Sequence, residues 1–134
     1  MTEFYEQVKE RLMRYARINT ESDPHSTSVP TTSCQHDLAS VIYEELQEIG
    51  ATNVYYDKDT CVVYGSLEAN VKTGRAIGFV THMDTAPDAS GKDVKPWVLE
   101  NYDGNDIVLN KEKDIVMSPS VFPNLKQYIG QDLI

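Results

Sequence analysis

Basic residues, cysteines and long apolar runs are all scarce in this sequence, and two of these scarcities limit its partners. Twelve Lys and Arg stand against 21 Asp and Glu, which gives a net charge of −9 at pH 7. Nucleic acids and anionic membrane surfaces are bound by clustered basic residues. No segment approaches the roughly 20 consecutive apolar residues that cross a bilayer. We therefore expect neither a nucleic-acid partner nor a membrane partner.

The two cysteines, Cys34 and Cys61, match no metal-binding spacing such as C-x-x-C and are too few for a disulfide framework. Both are predicted to be free thiols in a reducing compartment. The opening stretch, MTEFYEQVKERLMRY, interleaves acids and arginines with its apolar positions, so it lacks the apolar core of a secretory signal. A cytoplasmic location is the resulting prediction.

Two helices are predicted in the first half of the chain. Phe4, Val8 and Leu12 recur at helical spacing, with acids early and arginines late, as the helix dipole favours. The stretch TTSCQHDLASVIYEELQEIG predicts a second helix with Thr or Ser as its N-cap. In it, Thr32 and Gln35 stand at capping-box spacing, and a glycine follows as the stop.

The strand signals predict an α/β fold. NVYYDKDTCVVYGSL indicates a hairpin around a polar turn at 57–60, and AIGFVTHMD indicates a strand that is apolar on both faces until His82. A strand covered on both faces belongs inside a sheet with helices on either side. Short strands are expected in the Pro- and Gly-rich stretch that follows, and FPNLKQYIGQDLI is interpreted as strand-like. The predicted architecture is a mixed sheet flanked by helices.

The triplet His82-Met83-Asp84 is the strongest candidate for chemistry. Side chains two apart on a strand share a face, and ligands of open α/β sheets lie beyond the carboxyl ends of the strands. A neutral imidazole is a common zinc ligand, and a carboxylate beside it commonly orients it. Such triplets also arise by accident. The alternative is a strand-end histidine bonded to a turn carboxylate.

Other patterns favour structural roles. Asp57, Asp59 and Glu68 fit a calcium-loop frame only in part, because the position that needs glycine holds a valine. Cys61 lies in an apolar pattern that is typical of a core thiol. His25 and His36 lie in polar surroundings, so we predict that both are solvated.

A long pattern in the second half, HMDTAPDASGKDVKPWVLENYDGNDIVL, accompanies NTES and VPTTSCQ in the first half. Together these stretches resemble the N-terminal part of the peptidase T family, tripeptide aminopeptidases that belong to the dizinc metallopeptidases. The resemblance extends over nearly the whole chain. It implies a partial zinc-exopeptidase catalytic domain, with residues 1–134 as a truncated N-terminal part, and small peptides as substrates.

The resemblance also assigns roles to the triplet. His82 would be the first histidine ligand to one of two zinc ions, and Asp84 the catalytic-site carboxylate that orients this ligand and tunes the site. The bridging aspartate, the glutamate pair that includes the general base, and the remaining ligands would follow Ile134. The chain alone is therefore expected to bind zinc weakly or not at all and to be inactive. It is also expected to self-associate through Ile129, Leu133 and Ile134, which truncation would leave uncovered.

Two alternatives stay open at this point. The His-x-Asp pattern is shared across the superfamily, so another exopeptidase or an amidohydrolase fits it too. A non-catalytic α/β domain that keeps the fold without the chemistry fits the composition equally well.

Overall fold

The computed structural model describes residues 2–72 and 74–134. The chain divides into two compact units, Met1–Lys95 and Pro96–Ile134. In the first unit the order of elements is α1 (Thr2–Tyr15), α2 (Gln35–Glu48), β1 (Thr52–Asp57) and β2 (Val62–Ser66). The second contains β3 (Ile107–Asn110), β4 (Ile115–Met117) and a 3-10 helix (Pro123–Tyr128).

Both predicted helices are present. Gly50, with φ at +82°, ends α2 as predicted, because this left-handed conformation favours glycine. The N-cap prediction was wrong. Cys34 occupies that position and makes no side-chain cap, whereas Gln35 Nε2 donates to Thr32 Oγ1 at 3.3 Å. The two predicted capping-box residues thus bond each other through their side chains.

The predicted hairpin is also present and forms the base of the first unit. β1 and β2 pair antiparallel, with Tyr55 opposite Tyr64, and the two rings stack with centroids 6.3 Å apart. α2 packs on this hairpin where Gly65 lets the helix approach, since a Cβ there would lie 3.3 Å from Leu46 Cδ1. The core of the unit lies at this junction and contains Leu38, Ala39 and Cys61.

The central strand predicted at 76–84 was wrong. None of these residues belongs to a strand, and Phe79 and Val80 are 93% and 101% exposed. A strand forms only against a hydrogen-bonding partner, and no strand among residues 2–72 and 74–134 pairs with this segment. Apolar sequence alone therefore did not make it a strand.

The second unit is built around Tyr102, which is 2% exposed. The Tyr102 amide donates to Gln131 O, and its carbonyl accepts from Gly130 N, each at 2.8 Å. β3 and β4 confirm the predicted short strands. The strand-like interpretation of 122–134 was wrong over 123–128, where Pro123 begins the 3-10 helix, because its fixed φ suits the first helical position. Only Leu133 joins a β-bridge, to Leu99.

The predicted α/β fold class is confirmed, because the chain contains both helices and strands. Among the described residues the strands form two antiparallel pairs, β1–β2 and β3–β4. Of the helices that the structure describes over 2–72 and 74–134, none is both long enough and apolar enough to cross a membrane.

Candidate functional site

His82 and Asp84 lie on an exposed connection in the first unit, and the structure brings their side chains into contact. His82 Nδ1 is 3.2 Å from Asp84 Oδ1 and 2.9 Å from the Asp84 carbonyl oxygen. Both neighbours of Nδ1 are acceptors, so the hydrogen-bond network assigns the proton to Nδ1. The lone pair of Nε2 is then directed away from Asp84.

Solvent exposure differs between the two side chains. The imidazole of His82 is 83% exposed, and the carboxylate of Asp84 is 42% exposed. A solvent-exposed side-chain contact of this kind contributes little to folding stability. A role in holding the fold together therefore explains the contact poorly, whereas an accessible Nε2 suits a group that binds something from solution.

The residue after Asp84 anchors the pair to the rest of the unit. The Thr85 amide donates to Thr20 O at 3.1 Å, and the Thr85 carbonyl accepts from Ser22 N at 2.9 Å. The Ser22 hydroxyl also donates to this carbonyl, at 3.0 Å. Thr20 is only 2% exposed, so the anchor rests on a buried part of the unit. The short parallel bridge between Glu21 and Thr85 therefore fixes the backbone directly beyond the site.

An open cleft of about 710 Å³ lies beside the pair. Its lining is mainly apolar and comes from α1, α2, the start of β2 and the segment 81–85. The apolar lining residues include Leu12, Ala16, Leu38, Ile42 and Val63. The volume of the cleft lies in the range of small-ligand pockets, so a short peptide could bind in it next to the His82 imidazole.

The other two histidines occupy different surroundings. His25 is exposed in its loop, as predicted. The prediction for His36 was wrong, because this residue is half-buried and its Nδ1 hydrogen-bonds the Tyr56 hydroxyl. The signal for this contact was the helical spacing that places His36 on the side of α2 facing the hairpin.

Cys61 confirms the prediction of a core thiol. It is 5% exposed, and its sulfur lies 4.0 Å from the Tyr56 hydroxyl. Burial raises the pKa of the Cys61 thiol, with a smaller opposing effect from the Tyr56 hydrogen bond. Burial also raises the pKa of Tyr56, to which Cys61 adds. A thiol held in its neutral form is a poor nucleophile.

Asp57 has a local role in the hairpin turn. The Asp59 amide donates to Asp57 Oδ1 at 3.0 Å. A hydrogen bond from the Thr60 side chain, followed by that from the Asp59 amide, lowers the pKa of the Asp57 carboxyl. These turn contacts give the Asp57 carboxylate a structural role without calcium.

The fit of a zinc ion can be judged from the donor atoms. A histidine whose Nδ1–H is held by a carboxylate, with Nε2 free, is the usual state of a zinc-ligating histidine. His82 and Asp84 fit that state. In the part of the chain that the structure describes, no three His, Cys, Asp or Glu side chains gather as a metal-binding group. His82 thus fits as one ligand of a site that needs further ligands.

No protein-family model matches the chain. Individual relatives named peptidase T do match. The chain is 49% identical over 128 residues to peptidase T of Alkaliphilus oremlandii, covering 93% of this chain and 31% of the relative. It is 50% identical over 128 residues to that of Caldanaerobacter subterraneus subsp. tengcongensis, covering 95% and 31%. For Geobacillus kaustophilus the identity is 48% over 130 residues, covering 96% and 31%.

These comparisons confirm the resemblance to peptidase T that the motifs indicated. The similarity extends over nearly all of this chain, whereas the chain spans about a third of the length of the curated relatives it matches.

Proposed function

We propose that the chain forms the N-terminal part of the catalytic domain of a zinc-dependent aminopeptidase, which releases the N-terminal residue from tripeptides. The observation that carries the proposal is the contact between His82 Nδ1 and Asp84 Oδ1 at 3.2 Å, in a chain about half identical to several peptidases T. A non-catalytic domain with a histidine bonded to a turn carboxylate is the alternative, and the high exposure of the imidazole supports the peptidase over it.

In this proposal His82 holds one zinc ion through Nε2. Asp84 keeps the proton on Nδ1 and fixes the plane of the ring, which raises the basicity of the ligating nitrogen. The bound zinc would polarise the scissile carbonyl and supply a water acidic enough to act near neutral pH. The other ligands and the general base are proposed to follow Ile134.

The proposal extends to surroundings and partners. Small peptides are the proposed substrates, and the apolar cleft beside His82 offers a surface for an uncharged side chain. The acidic net charge of −9 supports neither nucleic acid nor anionic membrane as a partner. We place the protein in the cytoplasm, where its two free cysteines stay reduced.

The first test is the reading frame beyond Ile134. A glycine- and aspartate-rich motif within about ten residues supports the peptidase, since a bridging metal ligand is needed there. A stop codon directly after Ile134 contradicts the proposal and favours the non-catalytic domain.

The second test measures zinc per chain and tripeptide hydrolysis in the complete protein, before and after His82→Ala. Loss of one zinc bond should lower both the zinc content and the activity sharply. His25→Ala is the matched control, because that histidine is exposed in a loop of the same unit. Full zinc content and full rate in His82→Ala would refute the assignment. If the protein hydrolyses N-acylated amino acids and not tripeptides, the amidohydrolase alternative is favoured over the aminopeptidase.

The 134-residue chain on its own provides the third test. Because the described residues supply no metal-binding group around His82, zinc titration should show weak binding or none. A single tight site that His82→Ala removes would overturn this expectation.

A further inference from the structure

The loop that follows His82 and Asp84 is fastened at both ends to one short segment, residues 19–22. At its start, Thr85 bonds Thr20 and Ser22 through backbone atoms. At its far end, the Gly91 amide donates to Glu21 Oε2 at 3.0 Å. This second contact depends on the Glu21 side chain, so a substitution at Glu21 removes it.

Gly91 approaches the segment more closely than any other residue could. A Cβ at this position would lie 2.6 Å from Asn19 Oδ1 and 3.2 Å from Thr85 Oγ1. Contacts of this length force a neighbour to shift. The absence of a side chain is therefore what brings the Gly91 amide within reach of Glu21.

Glu21 is itself held in place from its other side. Its carbonyl accepts from Thr32 Oγ1 at 2.6 Å, and its amide donates to Asn19 Oδ1 at 3.2 Å. Thr32 is bonded in turn by Gln35, which is 8% exposed at the start of α2. The contacts from Thr32 and Gln35 thus fix the backbone of Glu21 relative to α2, and its carboxylate accepts the hydrogen bond from the loop.

We infer that Glu21 is a positioning residue, which holds the 85–91 loop closed and thereby fixes Asp84 against His82. The inference rests on the proposed function. Glu21 bonds neither His82 nor Asp84 and acts on them through the backbone of the loop. An ionised acceptor makes a stronger bond to a backbone amide than a neutral one, so a carboxylate suits this place.

Three variants of the complete protein test the inference. Glu21→Ala removes the acceptor, and Glu21→Gln keeps a neutral oxygen that can still accept from Gly91. Gly91→Ala attacks the same contact from the other side, because its Cβ must displace Asn19. Glu112→Ala is the matched control, since Glu112 is exposed in the turn between β3 and β4.

Tripeptide kinetics and amide hydrogen exchange are measured on the same samples. Substitutions around a ligand typically cost 10- to 100-fold, and Glu21 acts one contact further away, so Glu21→Ala should lower kcat about tenfold and change KM less than about twofold. Glu21→Gln should restore kcat to within about threefold, because one oxygen still accepts. Exchange at Gly91 should accelerate in Glu21→Ala, while the Ala39 amide in α2 stays protected.

The two Ala substitutions also form a cycle. Glu21→Ala removes the contact, and Gly91→Ala disturbs it by displacing Asn19 Oδ1, which holds the Glu21 amide. Because both substitutions act on this one contact, the double variant should lose little more than the stronger single variant. Fully additive losses contradict the inference.

Several further results would overturn it. If amide exchange at Gly91 is unchanged in Glu21→Ala, the contact does not exist in solution. If exchange accelerates but kcat is unchanged, the contact has no positioning role. A Gln variant as slow as the Ala variant also counts against it. If the unsubstituted protein hydrolyses no tripeptide, the proposed function fails together with the positioning role, whereas the exchange at Gly91 separately reports whether the contact exists.

Discussion

Arg11 Nε lies 3.1 Å from Glu45 Oε2 and links α1 to α2. The same carboxylate accepts from Arg14 and from the Tyr15 hydroxyl. Three donors of one helix therefore converge on a single acceptor of the other. The Glu45 side chain is 12% exposed, so water can replace these partners only in part.

We expect Glu45→Ala to lower the free energy of unfolding by about 2 kcal/mol, because hydrogen bonds to charged groups contribute about 1.5–3 kcal/mol. Glu44→Ala is the control on the same helix. It should change stability by less than about 0.5 kcal/mol, as is usual for exposed positions. Urea unfolding of both variants measures the difference, and equal midpoints would show that the Glu45 contacts contribute nothing.

Asp84→Asn tests the carboxylate in the longer protein that the proposed function implies. The amide oxygen can still accept from His82 Nδ1–H but carries no charge, so most of the zinc should stay while turnover falls about 10- to 100-fold. Asp88→Asn, an exposed residue of the same loop, should leave both unchanged. Zinc analysis and tripeptide hydrolysis decide the matter. An Asp84→Asn enzyme as fast as Asp88→Asn contradicts a catalytic role.

The two cysteines should react at different rates. The pKa of the Cys61 thiol is raised from its ordinary value of 9.0 by burial, so at pH 8 less of it is thiolate than in the unfolded chain. Cys34, which is half-buried, should therefore be alkylated first. Mass spectrometry of a Cys34→Ser variant isolates the slow reaction. Rapid modification of Cys61 in that folded variant speaks against a core thiol.

The same raised pKa predicts how stability depends on pH. The folded state binds the Cys61 proton more tightly than the unfolded state does. Its contribution to stability is thus complete below pH 9 and is lost as the pH rises through the folded pKa. Above pH 9, urea midpoints should fall more steeply for the natural chain than for Cys61→Ala.

Self-association of the 134-residue chain stays a prediction. Ile129 and Ile134 are 54% and 56% exposed, in agreement with the expectation, while Leu133 is half-buried by its bridge to Leu99. Phe79 and Val80, which the sequence predicts inside a sheet, add further exposed apolar surface. Sedimentation should show association that increases with concentration and decreases in Phe79→Ser. A chain that stays monomeric at millimolar concentration would contradict it.

The sequence predicted the elements whose partners are close by. α2 and the β1–β2 hairpin carry their own periodicity, turn and stop signals, and they pack on each other within about thirty residues. The strand prediction for 76–84 was wrong because an apolar pattern predicts burial but does not identify the strand that would pair with the segment. The strand-like prediction for 123–128 was wrong because it relied on the apolar residues of the segment and gave too little weight to Pro123, which favours a helix start.

Prediction of the site was similarly divided. Spacing placed His82 and Asp84 on one face, and the structure places them in contact, although through a connection and not a strand. The contribution of Glu21 was not foreseen. Its bond to Gly91 joins residues 70 apart in the chain, and no local pattern encodes such a distance.

The bridge at Thr85 has a consequence for the order of folding. Ser22 and Thr85 are separated by 63 positions, so their contact closes a long loop and pays its entropy before it gains a bond. Contacts of this kind form late, whereas helices and hairpins form early. On a ribosome, α1, α2 and the β1–β2 hairpin can all form before Thr85 bonds Thr20 and Ser22. The candidate site is therefore among the last parts of the first unit to become ordered.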